Sequence, residues 1–444
     1  NGIIIININE GRLDKNEPYV IKAENLRLYK DILTDYLENA LSTGVTKNGL
    51  ERALLNINDL PGVSAVSSIE PGVEEGSSKI ILNVVEDDLV TGSITLDNHG
   101  NRYTAKQRNT IKIDFNNPSK IGDKLSINKT FNDGEKFDFT QFDYEVPVGQ
   151  SGFKAFASAS RLEFEIGKEL KTNPVSLGKA DTFEVGVKYP IQRTNNQSVF
   201  LKTSIEKKEI YNETTGVLTN DKTLENAKIG LDFEGKNIFQ DSSLTGVSVS
   251  GIFGDLDLSK VNSDYLNDQK ASGPKTHGDF NKVILDFYHI HKFTDKINFK
   301  YYGSLQHASK NLDSSEKFSL GGVSGVRAYP SGEASGDEGH KLSFEVQYDL
   351  SKPDMDFDLI GTLFYDYGKI RQYKDSSNIT LTTPNEYSLS GWGVSFDLIA
   401  NERVKLNLGW AEAIGDNDGQ SSSGNNSDGR GGSSRAWFQV VFRF

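Results

Sequence analysis

The sequence predicts a mainly β protein, a 16-stranded antiparallel transmembrane β-barrel preceded by a small α+β domain. From residue 90 to the C-terminus, apolar and polar residues alternate with a period of two, the spacing of strands that have two different faces. Short and long connections alternate between these runs, as in barrels with tight turns at one end and long loops at the other. Helical spacing is confined to the N-terminal part of the chain.

Composition excludes several classes of protein. The 444 residues include 25 Phe, 17 Tyr and 42 Gly, which favours an all-β architecture. No stretch approaches the length of apolar sequence that a transmembrane helix needs. The absence of cysteine excludes disulfides and thiolate metal sites. A net charge of −13 argues against a nucleic-acid binder.

Residues 12–88 are predicted to form the small α+β domain. One helix face is formed by apolar residues at helical spacing: Tyr29, Ile32, Leu33, Tyr36, Leu37, Ala40 and Leu41. Gly44 is predicted to end this helix, and a second helix is expected over residues 46–58 with Leu50, Leu54 and Ile57 inward. Strands are predicted at 63–69 and 79–85. A further strand at 2–9 places residues 1–11 at the end of a preceding domain or in a linker.

Residues 89–444 are predicted to form the barrel. The expected strands are 90–98, 103–115, 120–131, 135–146, 151–164, 177–189, 197–210, 222–235, 241–253, 278–292, 294–308, 340–350, 356–370, 386–400, 403–414 and 434–444. Most are long enough to cross the hydrocarbon core when tilted. Long connections are expected at 211–221, 254–277, 308–339, 371–385 and 415–433. An even strand count places both ends of the barrel on one side of the membrane.

Two strands show the two-faced pattern most clearly. In the twelfth, Leu342, Phe344, Val346, Tyr348 and Leu350 share one face, and Lys341, Ser343, Glu345, Gln347 and Asp349 share the other. In the thirteenth, Asp366 and Phe364 lie opposite Leu363 and Tyr365. The charged set is too large for a dry core, so we expect the apolar face to meet lipid and the polar face to line the lumen.

The loop at 309–339 differs from the other connections. Its segment 320–339, LGGVSGVRAYPSGEASGDEG, contains six glycines and one proline, which exclude a helix or a regular strand. Loops of this length in compact proteins usually have a function. We therefore expect it to fold into the lumen.

Several segments resemble a known family. The order of elements in residues 12–88 resembles a POTRA domain, the periplasmic module of outer-membrane protein translocators. The glycine-rich loop, together with LDNHGNRYTAKQR at 96–108, NPSKIGDKL at 117–125 and LFYDYG at 363–368, resembles two-partner secretion transporters of the TpsB family (the FhaC and ShlB type), which belong to a superfamily with the BamA insertases. Two positions depart from the family pattern: Ala328 stands where Gly is frequent, and Thr104-Ala105 replaces Thr-Gly.

The resemblance implies a role for the loop motif Val326-Arg327-Ala328-Tyr329-Pro330. In the family this loop lies in the lumen, and its arginine contacts an acidic group on the wall. The resemblance implies that Asp366, in the Phe364-x-Asp366 motif, is the partner of Arg327 in this chain. Glu345 on the neighbouring strand is a second candidate. A buried guanidinium needs a hydrogen-bonded carboxylate, and a bidentate contact would fix the loop. The alternative is a solvated loop charge, as most arginines in loops are.

The resemblance also implies the function. The chain would export a large TpsA-type exoprotein, such as an adhesin, a haemolysin, a haem-acquisition protein or a contact-dependent inhibition toxin, across the bacterial outer membrane. The POTRA domain would capture this cargo in the periplasm through its helices and edge strand, around Tyr29, Ile32, Tyr36, Leu50 and Leu54. Periplasmic chaperones and the barrel-assembly machinery would be further partners, the latter recognising a C-terminal signal with Phe438, Phe442 and Phe444. We expect a monomer.

Other functions remain open from the sequence. The same superfamily includes insertases that fold other barrels, and a passive porin would share the barrel. There is no phosphate-binding loop for nucleotide hydrolysis, and the six histidines form no catalytic set, so we expect no enzyme and no cofactor. His289 and His291 share one strand face and could bind a metal weakly, but a position at the membrane interface is the simpler interpretation, and no metal site is expected.

Overall fold

The computed structural model describes residues 12–24, 26–42, 45–132, 134 and 136–444. The strand predicted at 2–9 and the helix end predicted at Gly44 lie outside the described residues. The described chain forms an N-terminal α+β module and a closed barrel.

The N-terminal module packs two helices against a small sheet. Its elements are β1 (Arg12–Leu13), β2 (Tyr19–Ala23), α1 (Lys30–Leu41), α2 (Lys47–Asn58), β3 (Val63–Pro71) and β4 (Ser77–Glu86). The central strand β4 pairs in parallel with β1 and β2 and antiparallel with β3. Thr46 caps α2, because its hydroxyl accepts a hydrogen bond from the amide of Gly49 at 3.0 Å. The apolar stripes of both helices meet the sheet in a core that includes Leu33, Leu37, Ile57 and Leu82.

Sixteen antiparallel strands close the barrel, which confirms the predicted fold class. The first eight are β5 (Val90–Asp97), β6 (Arg108–Asn116), β7 (Lys124–Asn132), β8 (Phe137–Pro147), β9 (Lys154–Glu165), β10 (Leu177–Arg193), β11 (Gln197–Thr214) and β12 (Val217–Lys236). The next three are β13 (Ser243–Asp257), β14 (Gly278–Lys292) and β15 (Ile297–Ala308), with α3 (Asn262–Gln269) in the connection between β13 and β14. Two short strands, β16 (Phe318–Ser319) and β17 (Ser335–Gly336), pair with each other inside the loop that follows β15. The barrel continues with β18 (Glu338–Asp349), β19 (Phe357–Arg371), β20 (Glu386–Ala400), β21 (Val404–Ala413) and β22 (Ser434–Arg443). Pairing of β22 with β5 closes the ring.

Several strand boundaries differ from the predicted ones by four or five residues, and two regions show why. The connection expected at 211–221 is a hairpin in which β11 and β12 continue to a two-residue turn, Thr215-Gly216. Both turn residues have positive φ (55° and 76°), the backbone that suits a tight β-hairpin. Conversely, residues 103–107 do not belong to β6, because the chain there folds into a turn in which the amide of Ala105 donates to the carbonyl of Asn101 at 2.9 Å.

The barrel has an apolar outer face and a polar inner face. On β18 the side chains of Leu342, Phe344 and Tyr348 are exposed on the outside, whereas Glu345 and Gln347 are buried on the inside. A cluster of rings covers the outer face of β14, β15 and β18 close to their short turns: Phe239, His289, Phe293, Phe299, Tyr301 and Phe344. Aromatic clusters of this kind are typical of the membrane–water interface. None of the described helices is long and apolar enough to cross a membrane.

The N-terminal module is docked against the end of the barrel that carries the short turns, here called the turn end; the opposite end is the loop end. Asp59, at the C-terminus of α2, accepts two hydrogen bonds from the guanidinium of Arg193 at 2.7 and 2.8 Å. The carbonyl of Asp59 accepts a third from Nζ of Lys154 at 2.8 Å. Glu86 accepts from the side-chain amide of Asn117 at 2.8 Å. These contacts fix the module over the turns between β6 and β7 and beside β9 and β10.

Candidate functional site in the barrel lumen

The connection between β15 and β18, residues 309–337, lies inside the barrel and is here called the lumen loop. Glycines allow its tip to fold tightly on itself. A Cβ on Gly325 would lie 1.8 Å from the carbonyl oxygen of Leu320, and a Cβ on Gly321 would lie 2.2 Å from that of Pro330. The amide of Val326 donates to the carbonyl of Leu320 at 2.7 Å. The tip is therefore a compact unit rather than a loose connection.

Arg327 fastens this tip to the inner wall. Its Nε and Nη2 donate to the two carboxylate oxygens of Asp366 at 2.9 and 2.7 Å, and its Nη1 donates to Glu345 at 2.7 Å. Nη2 also donates to the hydroxyl of Ser343 at 2.8 Å, and the guanidinium carbon lies 3.4 Å from the centre of the Phe364 ring. The side chain of Arg327 is 17% exposed and that of Asp366 only 1%. We call this set of contacts the arginine clamp.

The clamp places one cation between two carboxylates in a site with little access to water. Such a site is stable only while the guanidinium satisfies both acids, because an unpaired buried charge is costly. The flat fork of arginine matches the bidentate geometry of Asp366, which a lysine could not reproduce. The wall residues come from β18 and β19, whose alternation turns Ser343, Glu345, Phe364 and Asp366 inward.

The other residues of the motif pack against the wall beside the clamp. Val326, Ala328 and Tyr329 are buried in a cluster with Phe364 and Leu389. Ala328 packs directly on Gly391 of β20. A Cβ on Gly391 would lie 2.6 Å from the Cβ of Ala328, so a larger residue at position 391 would displace the tip. Trp437 on β22 donates its indole N–H to the carbonyl of Arg327 at 2.7 Å.

The loop has a second attachment at its beginning, which the sequence did not indicate. Glu316 lies 2.7 Å from Nζ of Lys208 on β11 and 2.8 Å from Nζ of Lys282 on β14. Asp313 lies 2.7 Å from Nζ of Lys222 on β12. The side chains of Glu316, Lys222 and Lys282 are almost completely buried. The only signal in the sequence is the inward parity of the three lysines, which does not name their partners.

A third attachment lies toward the loop end. Buried Glu333 accepts hydrogen bonds from the side chain of Asn417 and the amide of Ser427, both at 2.6 Å and both in the connection between β21 and β22. Ser331 donates to the carbonyl of His99 at 2.8 Å. The partners of Glu333 are therefore polar groups of another loop, which no pattern in the sequence indicates.

The connections at the loop end are also joined to one another. Arg102 lies in the connection between β5 and β6, and Glu169 lies in the connection between β9 and β10. The guanidinium of Arg102 donates two hydrogen bonds to the carboxylate of Glu169, both at 2.6 Å. This contact lowers the pKa of Glu169 to about 2. Arg435 binds Asp428 in the connection between β21 and β22, with the shorter contact at 2.6 Å. The loop end is therefore covered by connections that hold each other and the lumen loop.

The residues proposed for cargo capture differ in accessibility. Tyr29 is 56% exposed, and its amide donates to the carbonyl of Lys120 in the barrel at 3.1 Å. Tyr36 is 2% exposed and belongs to the core of the module. Its side chain is therefore not accessible to cargo, in contrast to the prediction from the sequence. Ile32, Leu50 and Leu54 are partly buried against the same core. The helix face that the sequence marks as apolar is used for packing on the sheet.

The C-terminal phenylalanines lie on or beside β22. Phe442 is exposed on the outer face and pairs with Val404, and Phe438 pairs with Leu408. The backbone of Phe444 exchanges two hydrogen bonds with Gly92 of β5, at 2.8 and 3.0 Å. These residues therefore form the seam at which the barrel closes.

Known proteins resemble this chain over most of its length. A model of the family described as haemolysin secretion/activation protein ShlB/FhaC/HecB matches residues 76–398. Heme/hemopexin transporter protein HuxB of Haemophilus influenzae (strain 86-028NP) is 27% identical over 374 residues, which cover 84% of this chain and 65% of HuxB. Outer membrane transporter CdiB of Escherichia coli O6:K15:H31 (strain 536 / UPEC) is 23% identical over 361 residues, which cover 79% of this chain and 58% of that protein. The chain thus spans less than two thirds of the length of these relatives.

Solved structures show the same architecture. CdiB from Escherichia coli superposes with a TM-score of 0.79 at 18% identity, covering 98% of this chain and 77% of that structure. BamA from Haemophilus ducreyi lacking POTRA domains 1–3 superposes with a TM-score of 0.59 at 11% identity, covering 97% of this chain and 85% of that structure. At these identities the likeness concerns the fold. The family model, which matches more than half of the chain, shows that this protein belongs to the haemolysin secretion/activation protein ShlB/FhaC/HecB family.

Proposed function

We propose that this protein is an outer-membrane pore that exports a large TpsA-type exoprotein by two-partner secretion, without nucleotide hydrolysis. The observation that carries the proposal is a loop with three separate attachments inside a closed barrel, its tip held by the arginine clamp. A passive porin needs a permanently open channel, whereas a protein-conducting pore must be closed except when cargo is present. A displaceable loop provides this closure.

The N-terminal module is proposed to act as a periplasmic POTRA domain. Its contact with the turn end of the barrel, through Asp59 and Arg193, supports this role. The edge strand β3 leaves backbone groups on one side unpaired by the described sheet, so a segment of cargo can add to it as a further strand. Tyr29 is the exposed member of the residues proposed for capture.

Export then depends on binding and folding of the cargo. An extended segment enters from the turn end, the tip leaves the arginine clamp, and folding of the cargo outside the cell makes its return unfavourable. Because the relative HuxB is described as a heme/hemopexin transporter protein, we propose an exoprotein that binds haem or hemopexin as the first cargo to test. Periplasmic chaperones and the barrel-assembly machinery are proposed as partners in biogenesis, and the working unit is proposed to be a monomer.

The direct test is export in cells. The protein is co-expressed with a candidate TpsA-type exoprotein, and the exoprotein is measured in the medium and in the periplasm. Export that requires this protein supports the proposal. A variant without residues 12–88 is tested in the same way after its insertion into the outer membrane has been verified. Normal export by this variant would exclude a role of the module in cargo capture. A defect in the assembly of other barrels, with export unaffected, would instead favour an insertase of the BamA type.

A further inference from the structure

The inner wall near the turn end carries two lysines directly opposite each other. Lys188 on β10 and Lys202 on β11 are register partners, and both side chains face the lumen. Like charges at directly opposed positions of a sheet are unfavourable. Within the described part of the chain, neither amine has a carboxylate at ion-pair distance. Instead, Lys188 Nζ lies 4.2 Å from the centre of the Phe200 ring, and Lys202 Nζ lies 4.7 Å from that of Phe156.

Neighbouring inward lysines are neutralised by carboxylates. The pairs are Lys124 with Asp114, Lys154 with Glu145, Lys208 and Lys282 with Glu316, Lys222 with Asp313, and Lys228 with Glu206. A second like-charge pair on the same two strands, Glu184 and Glu206, is also compensated. Lys228 lies 3.7 Å from the first and 2.6 Å from the second. The lysine pair thus differs from these neighbours; among the described residues Lys341 on β18 is another inward lysine without a carboxylate partner, but its amine donates to the carbonyl of Ser324 at 2.7 Å.

The lysine pair lies between the N-terminal module and the tip of the lumen loop. A cavity of about 710 Å³ is lined by Asp59 of the module, by Lys188, and by Ser324 and Gly325 of the tip. An adjoining cavity of about 490 Å³ is lined by both lysines and by Phe156. Asp232 lines both cavities, but it accepts a hydrogen bond from Ser248 at 2.6 Å and forms no ion pair with either amine.

We propose that Lys188 and Lys202 form a transient binding site for carboxylate side chains of an extended polypeptide that enters the lumen from the turn end. The aromatic rings position the amines without neutralising them, so both charges are available to a passing acidic residue. A site on a conduction path must bind weakly enough to release its ligand, and exchange between two amines on a wet wall meets this requirement. The inference rests on the proposed function for the identity of the polypeptide, but not for the chemistry of the site.

Binding is measured directly on the full-length protein in detergent. The probe is a fluorescein-labelled 20-residue peptide of Glu, Gly and Ser, followed by fluorescence anisotropy in low-salt buffer because screening weakens exposed charge contacts. Replacing both lysines (K188Q with K202Q) should weaken binding about 3- to 10-fold, as expected for the loss of two hydrated charge contacts. Replacing both lysines with arginine (K188R with K202R) should leave peptide binding unchanged, because both positive charges are kept. A matched control replaces Lys179 and Lys207, which lie on the same strands and contact Glu163 and Glu209.

Three outcomes would overturn the inference. One is equal affinity of the wild-type protein and the glutamine pair, both folded as judged by heat-modifiable migration on gels. Another is an equally strong loss in the Lys179/Lys207 control. The third is complete displacement of the peptide by acetate at the same carboxylate concentration, which would assign the site to small anions. The assay needs no secretion: peptide binding without export by the wild-type protein would reject the proposed function and leave this site intact.

Discussion

Replacing Arg327 with alanine should release the tip of the lumen loop. The substitution removes every guanidinium contact to Asp366, Glu345 and Ser343 and leaves two carboxylates side by side in a site with little water. Breaking a buried ion pair from one side costs about 3–5 kcal/mol. A change of that size shifts the equilibrium between the held and the released tip on the order of a hundredfold to several thousandfold. The attachments of Glu316 and Glu333 remain, so the tip should detach while the loop stays in the lumen.

The absence of native cysteine makes the release measurable. Val326 is 0% exposed, so a cysteine at this position (V326C) should react with a water-soluble maleimide only while the tip is released. We expect labelling of V326C to be accelerated at least tenfold when Arg327 is replaced by alanine. Replacement by lysine should give an intermediate rate, because the charge is kept and the fork is lost. Single-channel conductance in planar bilayers should rise in parallel. Equal labelling rates with arginine and alanine at position 327 would refute the clamp as the restraint on the tip.

Four further results are expected. Gly391→Ala places a methyl group within 2.6 Å of the Ala328 Cβ and should also expose the tip to maleimide, whereas Gly251→Ala, whose Cβ would have no neighbour closer than 3.7 Å, should not. Glu316→Gln leaves the buried amine of Lys282 without a carboxylate, whereas Lys208 keeps Glu206 at 3.2 Å, and should lower barrel stability by about 3 kcal/mol, seen as unfolding at a lower temperature on gels; an unchanged transition would contradict this role. Arg193→Ala removes a bidentate contact with Asp59 and should increase hydrogen exchange at the end of α2; exchange equal to the wild type would mean that other contacts suffice. Hydrogen bonds from the amides of Val73, Asn16 and Glu17 lower the pKa of Asp14 to about 2, so its stabilisation of the module is complete above the ordinary pKa of 3.8 and is lost as the pH falls through about 2. Over that range pepsin cleavage should therefore rise more steeply in the wild type, which starts more resistant, than in Asp14→Asn, and parallel profiles would contradict this role.

The barrel could be predicted because its signal is local. Alternation of apolar and polar residues marks each strand separately, and all sixteen strands lie close to their expected positions. The alternation fails where a strand extends beyond the apolar band, because both faces are then polar. For this reason the hairpin at Thr215-Gly216 was predicted to be a long loop.

The site was only partly accessible from the sequence. Parity places Asp366 and Glu345 on the inner face, and the family resemblance names Arg327, so these three residues could be brought together without coordinates. The partners of Glu316 and Glu333 could not be predicted from the sequence, because a glycine-rich loop has no regular period that indicates which residues it contacts. Tyr36 shows the opposite limit: the periodicity that marks a helix face does not say whether that face meets a partner or the protein's own sheet.

Export with the tip locked in place tests the central claim most directly. Cysteines at positions 328 and 391 would have Cβ atoms 2.6 Å apart on this backbone, which crowds the tip as Gly391→Ala does. A shift of about 1 Å brings the two Cβ atoms into disulfide range, and the bond then holds the shifted tip on β20. In cells that carry both substitutions, the fraction of exoprotein released to the medium is compared between oxidised and reduced conditions, with disulfide formation verified by mass spectrometry. The account predicts that export stops when the disulfide forms and resumes on reduction. Continued export through a barrel whose tip is covalently fixed to β20 would contradict it.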